Sequence, residues 1–125
     1  MFLVDTNIFL EILLKQYKRK KCRNFLDDNL GSLHATDFSL HSIGVILFKY
    51  NKEPIFNKFI EDFMSNTILL SLPIKLYKEL INARKYFSLD FDDAYQYKTA
   101  QYYALKIVTM DKHFEKIKDV DVLFM

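Results

Sequence analysis

Aspartate is the residue to follow in this chain, because it recurs where short apolar runs end or helices begin. It stands in Leu3-Val4-Asp5-Thr6-Asn7 at the start, in Asp92-Asp93-Ala94 late in the chain, and in Val108-Thr109-Met110-Asp111 near the end. Mg²⁺ and Mn²⁺ prefer carboxylate and water oxygens, and near-octahedral Mg²⁺ often takes only one or two carboxylates while keeping several waters. A few convergent aspartates are therefore enough to hold an ion. An ion so held lowers the pKa of an attacking water and stabilises charge developing on a phosphate and its leaving oxygen, so the protein need supply no nucleophile. That agrees with what the chain lacks: a glycine-flanked serine elbow, a cysteine obviously paired with histidine, or a His-Glu-x-x-His helix.

Such aspartates converge only if the fold carries them to one edge. Phe2-Leu3-Val4 has the character of a short buried strand, so Asp5 emerges at its carboxyl end, where ligands usually bind to a parallel sheet. Ile107-Val108-Thr109 repeats the layout before Asp111. Between them, helix-like and strand-like segments alternate. Ile8 to Leu14 suits a buried helix capped by Thr6 or Asn7, and Phe25, Leu26 and Leu30 suggest a second helix ending at Gly31. Leu33 to Thr36 is a strand, followed by Asp37 as N-cap of a helix through Phe48. Pro54 fits the first turn of a helix through Phe63, Ile68 to Leu72 is a third strand, and Pro73 opens a helix carrying Leu76, Tyr77, Leu80 and Ile81. A helix from about Phe91 to Leu105 leads into the fourth strand, and Val120 to Phe124 forms an edge strand. Parallel strands need crossover connections, so the alternation predicts an α/β fold: a three-layer α/β/α sandwich with a central parallel sheet of about five strands.

Length and composition bound the rest. With 125 residues, half of them apolar, the chain fits one domain spanning residues 1–125. The single cysteine, Cys22, can form no intramolecular disulfide, which points to a reducing, cytoplasmic setting. No stretch approaches the roughly 18 apolar residues of a membrane span, and the N-terminus lacks a basic leader. Gly31 and Gly44 build no phosphate-cradling loop. Net charge is only +2, yet Lys15, Lys18, Arg19, Lys20, Lys21 and Arg23 crowd together beside Tyr17. They suit an RNA backbone as well as they suit a solvated turn between helices.

Val4-Asp5-Thr6-Asn7, the Asp93-Ala94 pair heading a helix, and Thr109-Met110-Asp111 followed by Phe114 together resemble the signature of the PIN-domain ribonucleases, which include VapC-type toxins. Order, spacing and length all agree, so the resemblance covers essentially the whole chain. It implies a first strand near the sheet centre, acids gathered around Mg²⁺ or Mn²⁺, and endonucleolytic cleavage of RNA. It makes Asp5, Asp93 and Asp111 the metal-binding catalytic acids, with Asn7 and Thr109 orienting them. It also suggests a protein antitoxin and a homodimer formed through helical surfaces; the apolar helices around Phe56 to Met64 and Leu76 to Phe87 suit such a surface, and core burial explains them equally well.

One motif departs from the family. A Ser/Thr-x-x-Glu pattern is expected after the second strand, but the matching stretch is Ser39-Leu40-His41-Ser42, and Ser42 brings no charge. Asp37 and His41 are local candidates to stand in, and Asp90 is a same-face partner for Asp93. Asp92, Glu11, His34 and His113 read as surface or strand-end residues rather than site residues. Periodicity does not decide whether Tyr95, Tyr97, Tyr102 and Tyr103 line a groove or pack the core. Asp5 and Asp111 have a plain structural role open to them as well, capping the helices that follow.

The leading expectation is thus a Mg²⁺/Mn²⁺-dependent ribonuclease, in the toxin half of a toxin-antitoxin pair. The alternative is a catalytically degraded PIN domain serving as an RNA-binding or protein-interaction module. A phosphoacceptor receiver domain fits poorly, because Ser71, Leu72 and Pro73 end the third strand where an aspartate would be needed.

Overall fold

Five strands of three or four residues carry the molecule in the computed structural model, which describes residues 1–125. They are β1 (Phe2–Val4), β2 (Leu33–Thr36), β3 (Ile68–Leu70), β4 (Lys106–Thr109) and β5 (Val122–Phe124). All pair in parallel, in the order β3-β2-β1-β4-β5. Helices α1 (Thr6–Leu13) and α2 (Arg19–Asp28) connect β1 to β2, and α3 (Asp37–Lys49) and α4 (Glu53–Asp62) connect β2 to β3. A 3-10 segment (Ile74–Glu79), α5 (Leu80–Phe87) and α6 (Phe91–Tyr103) lead on to β4. The three-layer parallel architecture is therefore as expected. The strand order differs from the 2-1-3-4-5 arrangement of receiver domains, which removes that reading.

Burial follows the pleat. Leu3 and Ile107 enter one core with Ala94, Tyr95, Tyr97 and Ala100 of α6, whereas Val4 and Val108, one residue on, enter the opposite core with Ile8, Phe9, Ile43, Leu47 and Phe59. Successive strand side chains point to opposite faces, so a three-residue strand contributes to both cores only when it is apolar throughout. β1 meets that requirement and sits at the centre of the sheet. From β1 the chain departs to β2 on one side and returns to β4 on the other. Asp5 lies at this topological switch point, where parallel sheets open a crevice beyond their carboxyl ends.

Several local expectations need correction. The N-cap of α3 is Thr36, whose side chain accepts from the Ser39 N–H, and Asp37 is already the first helical residue. The segment after Pro73 winds as a 3-10 helix before α5 begins, leaving Ile74 and Ile81 exposed. Most of the basic segment belongs to α2 itself, and Leu30 lies beyond that helix in solvent. The third and fifth strands are shorter than their apolar runs, because Ser71, Leu72, Val120 and Asp121 have no ladder partners. Gly44 owes its place to the packing of α3 on α4: a Cβ there would stand 3.3 Å from the Phe56 ring. No helix is long and apolar enough to cross a membrane.

Candidate metal centre

Asp5 is held from four directions. Its Oδ1 accepts from the Thr6 N–H (2.8 Å) and the Gln96 Nε2 (3.0 Å), and its Oδ2 accepts from the Thr109 hydroxyl (2.7 Å) and the Asn7 Nδ2 (3.3 Å). The same carboxylate thus caps α1 and ties the ends of β1 and β4, so the capping and site readings of Asp5 are compatible. Asn7 extends the tie by donating to the Thr109 Oγ1 (3.2 Å) and accepting from the Met110 N–H (3.2 Å). The Thr109 Oγ1 in turn accepts from the Asp111 N–H (2.9 Å), which fixes the turn that presents Asp111.

Asp93 enters from the first turn of α6 and Asp111 from beyond β4. The His113 Nδ1 lies 3.2 Å from both, at the Asp93 Oδ2 and the Asp111 Oδ1. Ionised carboxylates only accept, so the imidazole Nδ1–H serves as the shared donor. Burial, and after it the charge of Asp111, push the Asp93 carboxyl up to about 6, although the His113 hydrogen bond pulls the other way. Asp5 is also raised, chiefly by burial, against the lowering effect of its Thr109 and Gln96 hydrogen bonds. Carboxylates that resist ionisation together are the electrostatic setting in which a cation is most welcome.

Asp5, Asp93 and Asp111 line one cleft of about 280 Å³ with Asn7, Ser42, Asp92 and Gln96. Ligand atoms of Asp93, Asp111 and His113 lie within 4.8 Å of one another, close enough for a single ion. Two carboxylates with a third at the cleft floor suit a hard divalent cation, and an imidazole is a donor that Mn²⁺ accepts more readily than Mg²⁺. The residues present therefore fit such an ion.

The remaining sequence candidates fall elsewhere. Asp37 accepts from the Tyr95 hydroxyl (2.7 Å) and lines a separate hollow with His41, so neither lines the acidic cleft. Asp90 lies 3.4 Å from the Arg84 guanidinium in another depression. Ser42, at the departure position, does line the cleft. Asp92 also lines it while remaining exposed. Glu11 is neither surface nor site: it is buried and accepts from the Lys18 N–H (2.7 Å), closing the turn between α1 and α2. His34 is likewise buried, within β2. Lys18 Nζ donates to the Met125 carbonyl oxygen (2.8 Å), while the Met125 N–H bonds the Thr109 O (2.9 Å), so the basic segment borders the carboxyl edge of the sheet.

The sequence reading missed the parts played by His113 and Gln96. His113 follows Asp111 by two residues in a 3-10 turn that Asp111 caps (N–H to Oδ1, 2.8 Å), and that spacing is the only signal that could have pointed to it. Gln96 lies three residues after Asp93, a same-face helical interval, and its Nε2 bonds the Ser39 Oγ (2.7 Å) as well as Asp5. The tyrosines divide: Tyr95 and Tyr97 are core residues with their hydroxyls paired, whereas Tyr102 and Tyr103 lie outside.

The PIN domain family model matches residues 2–120. The chain belongs to the PIN-domain family, whose members are generally nucleases. Among solved structures it is similar to a toxin-antitoxin complex from Klebsiella pneumoniae, with a TM-score of 0.78 and 19% identity over 98% of this chain and 96% of that one. It is also similar to VapBC2 from Rickettsia felis bound to a promoter DNA fragment, with a TM-score of 0.80 and 18% identity over the same shares. FitAcB from Neisseria gonorrhoeae gives a TM-score of 0.70 and 23% identity, again over 98% and 96%. No curated protein sequence matches significantly.

Proposed function

We propose that this protein is a Mg²⁺- or Mn²⁺-dependent endoribonuclease and the toxin of a toxin-antitoxin pair. The observation that carries the proposal is the convergence of Asp5, Asp93 and Asp111, from three separate elements, on one cleft beyond the sheet's carboxyl edge. When bound, the ion would supply Lewis acidity toward the phosphate and its attacking water. Asp93, Asp111 and Asp5 would hold it, and Thr109 and Asn7 keep the Asp5 carboxylate in a single orientation. The basic segment beside β5 supplies phosphate contacts for a single strand laid across that edge. Neighbours solved as toxin-antitoxin complexes support a protein antitoxin as partner. The exposed apolar residues Ile74, Ile81 and Tyr86 support pairing of two copies.

Ser42 in the cleft wall favours a second reading, in which the fold binds RNA or protein without cutting. One experiment separates them: incubation of mixed structured and unstructured RNAs with Mn²⁺, Mg²⁺ or EDTA, beside Asp5→Asn. Cleavage that needs metal and vanishes in the variant is expected. No cleavage of any RNA, together with no Mn²⁺ binding, would transfer the chain to the second reading.

A further inference from the structure

Gln96 is fully buried, and its polar atoms are unequally served. Nε2 is committed twice, to the Asp5 Oδ1 at 3.0 Å and to the Ser39 Oγ at 2.7 Å. Because a carboxylate only accepts, the contact with Asp5 fixes which end of the amide is nitrogen. Oε1 is then left buried with no hydrogen-bond partner, the one side-chain atom in the protein in that condition. A buried acceptor without a donor is costly, and an ion or an ordered water is its usual explanation.

The position of Gln96 suggests which. It lines the same cleft as Asp5, Asp93, Asp111 and Ser42. Its link to Ser39 ties α6 to the helix that carries Ser42, where the family pattern calls for a carboxylate. We infer that Gln96 completes the ion site, with Oε1 acting as an uncharged oxygen donor to the hydrated ion in place of the carboxylate that Ser42 lacks. The inference rests on the ion site proposed above. Amide carbonyls are accepted ligands of hard cations, so the chemistry is suitable. The exchange of a charged donor for a neutral one also has an electrostatic result: the cleft, lined by Asp5, Asp92, Asp93 and Asp111, carries one negative charge fewer than it would with a glutamate at position 42, which repels an RNA phosphate less.

The test is Mn²⁺ affinity by calorimetry and the Mn²⁺-induced rise in melting temperature, for wild type, Gln96→Leu and Gln96→Glu, with circular dichroism in EDTA to establish folding. Gln96→Leu is expected to weaken Mn²⁺ binding by roughly ten-fold or more and to lose most of the rise in melting temperature. Gln96→Glu, which keeps an oxygen at the Oε1 position but loses the Nε2 donation to Asp5, is expected to bind Mn²⁺ more tightly than Gln96→Leu. Should Gln96→Leu fail to fold, Gln96→Met takes its place. Equal Mn²⁺ affinity in wild type and Gln96→Leu would overturn the inference and leave the ion site standing. Weakening by Gln96→Glu as severe as by Gln96→Leu would also overturn it, since the amide would then matter only through its Nε2 donor. Wild type that binds no Mn²⁺ would bring down the ion site and this inference together.

Discussion

Asp93 carries an electrostatic conflict between burial and ionisation. Its carboxyl titrates at about 6 in the fold against 3.8 in an open chain. Folding therefore favours the protonated form, and that contribution is fully present below pH 3.8 and lost as pH rises through 6. The difference corresponds to about 3 kcal/mol at most, taking ~1.4 kcal/mol per pH unit. Asp93→Asn removes the conflict, so metal-free Asp93→Asn should gain stability over wild type as pH goes from about 5 to about 7.5, measured by melting at each pH. A flat difference across that range would mean that Asp93 ionises freely. A cation relieves the same conflict, so the stabilisation that Mn²⁺ gives wild type should be large near neutral pH and shrink below about pH 6, where protons compete for the carboxylates. Asp5→Asn should reduce RNA cleavage to background while leaving the secondary structure intact by circular dichroism, because the one oxygen of asparagine still accepts from the Thr6 N–H and the Gln96 Nε2, which preserves the cap of α1.

At the level of elements, the strands and the order of the acids were legible because both depend on local pattern. Phe2-Leu3-Val4 is apolar throughout, so its burial was foreseeable, its central position was implied by the family resemblance, and Asp5 and Asp111 follow from the same strand-then-aspartate layout. The helix boundaries and the outer members of the site were not legible, because they depend on contacts between distant segments. Thr36 outcompetes Asp37 as N-cap, and Asp37 is drawn off by the Tyr95 hydroxyl, 58 residues away in sequence. No periodicity announces that Gln96 of α6 will meet Ser39 of α3. Tyr95 is the clearest case of such a tie, since its hydroxyl also accepts from the buried Leu72 N–H (2.9 Å) just past β3. Tyr95→Phe leaves that N–H unpaired, and should cost about 1–3 kcal/mol in urea denaturation with Mn²⁺ affinity unchanged. A drop in Mn²⁺ binding in this variant would mean that the Asp37 side of α3 contributes to the site after all.

For the whole molecule, the charge distribution matters more than the net charge of +2. Arg23 is engaged with Asp27 and the Phe63 ring, and Lys18 with the Met125 carbonyl oxygen, but Lys15, Lys20 and Lys21 are exposed without ion-pair partners. In an Asp5→Asn background that cannot cut, reversing these three to glutamate should weaken RNA binding strongly. It should also flatten the salt dependence by about 0.7 in log-log slope for each phosphate no longer neutralised. Mn²⁺ affinity should not move. Binding that is insensitive to the reversal would place the RNA path on another face.

The pairing of β1 with β4 has a consequence for how the protein comes into being. Thr109 reaches Asp5 across 104 residues of chain, and β4 follows every helix from α1 to α6. While the ribosome is still making α6, β1 has β2 on one side and nothing on the other, and Asp111 does not yet exist. The acidic cluster can assemble only after β4 and the turn beyond it have emerged and closed against the very start of the chain. A nascent chain that ends before β4 therefore lacks the acidic cleft altogether.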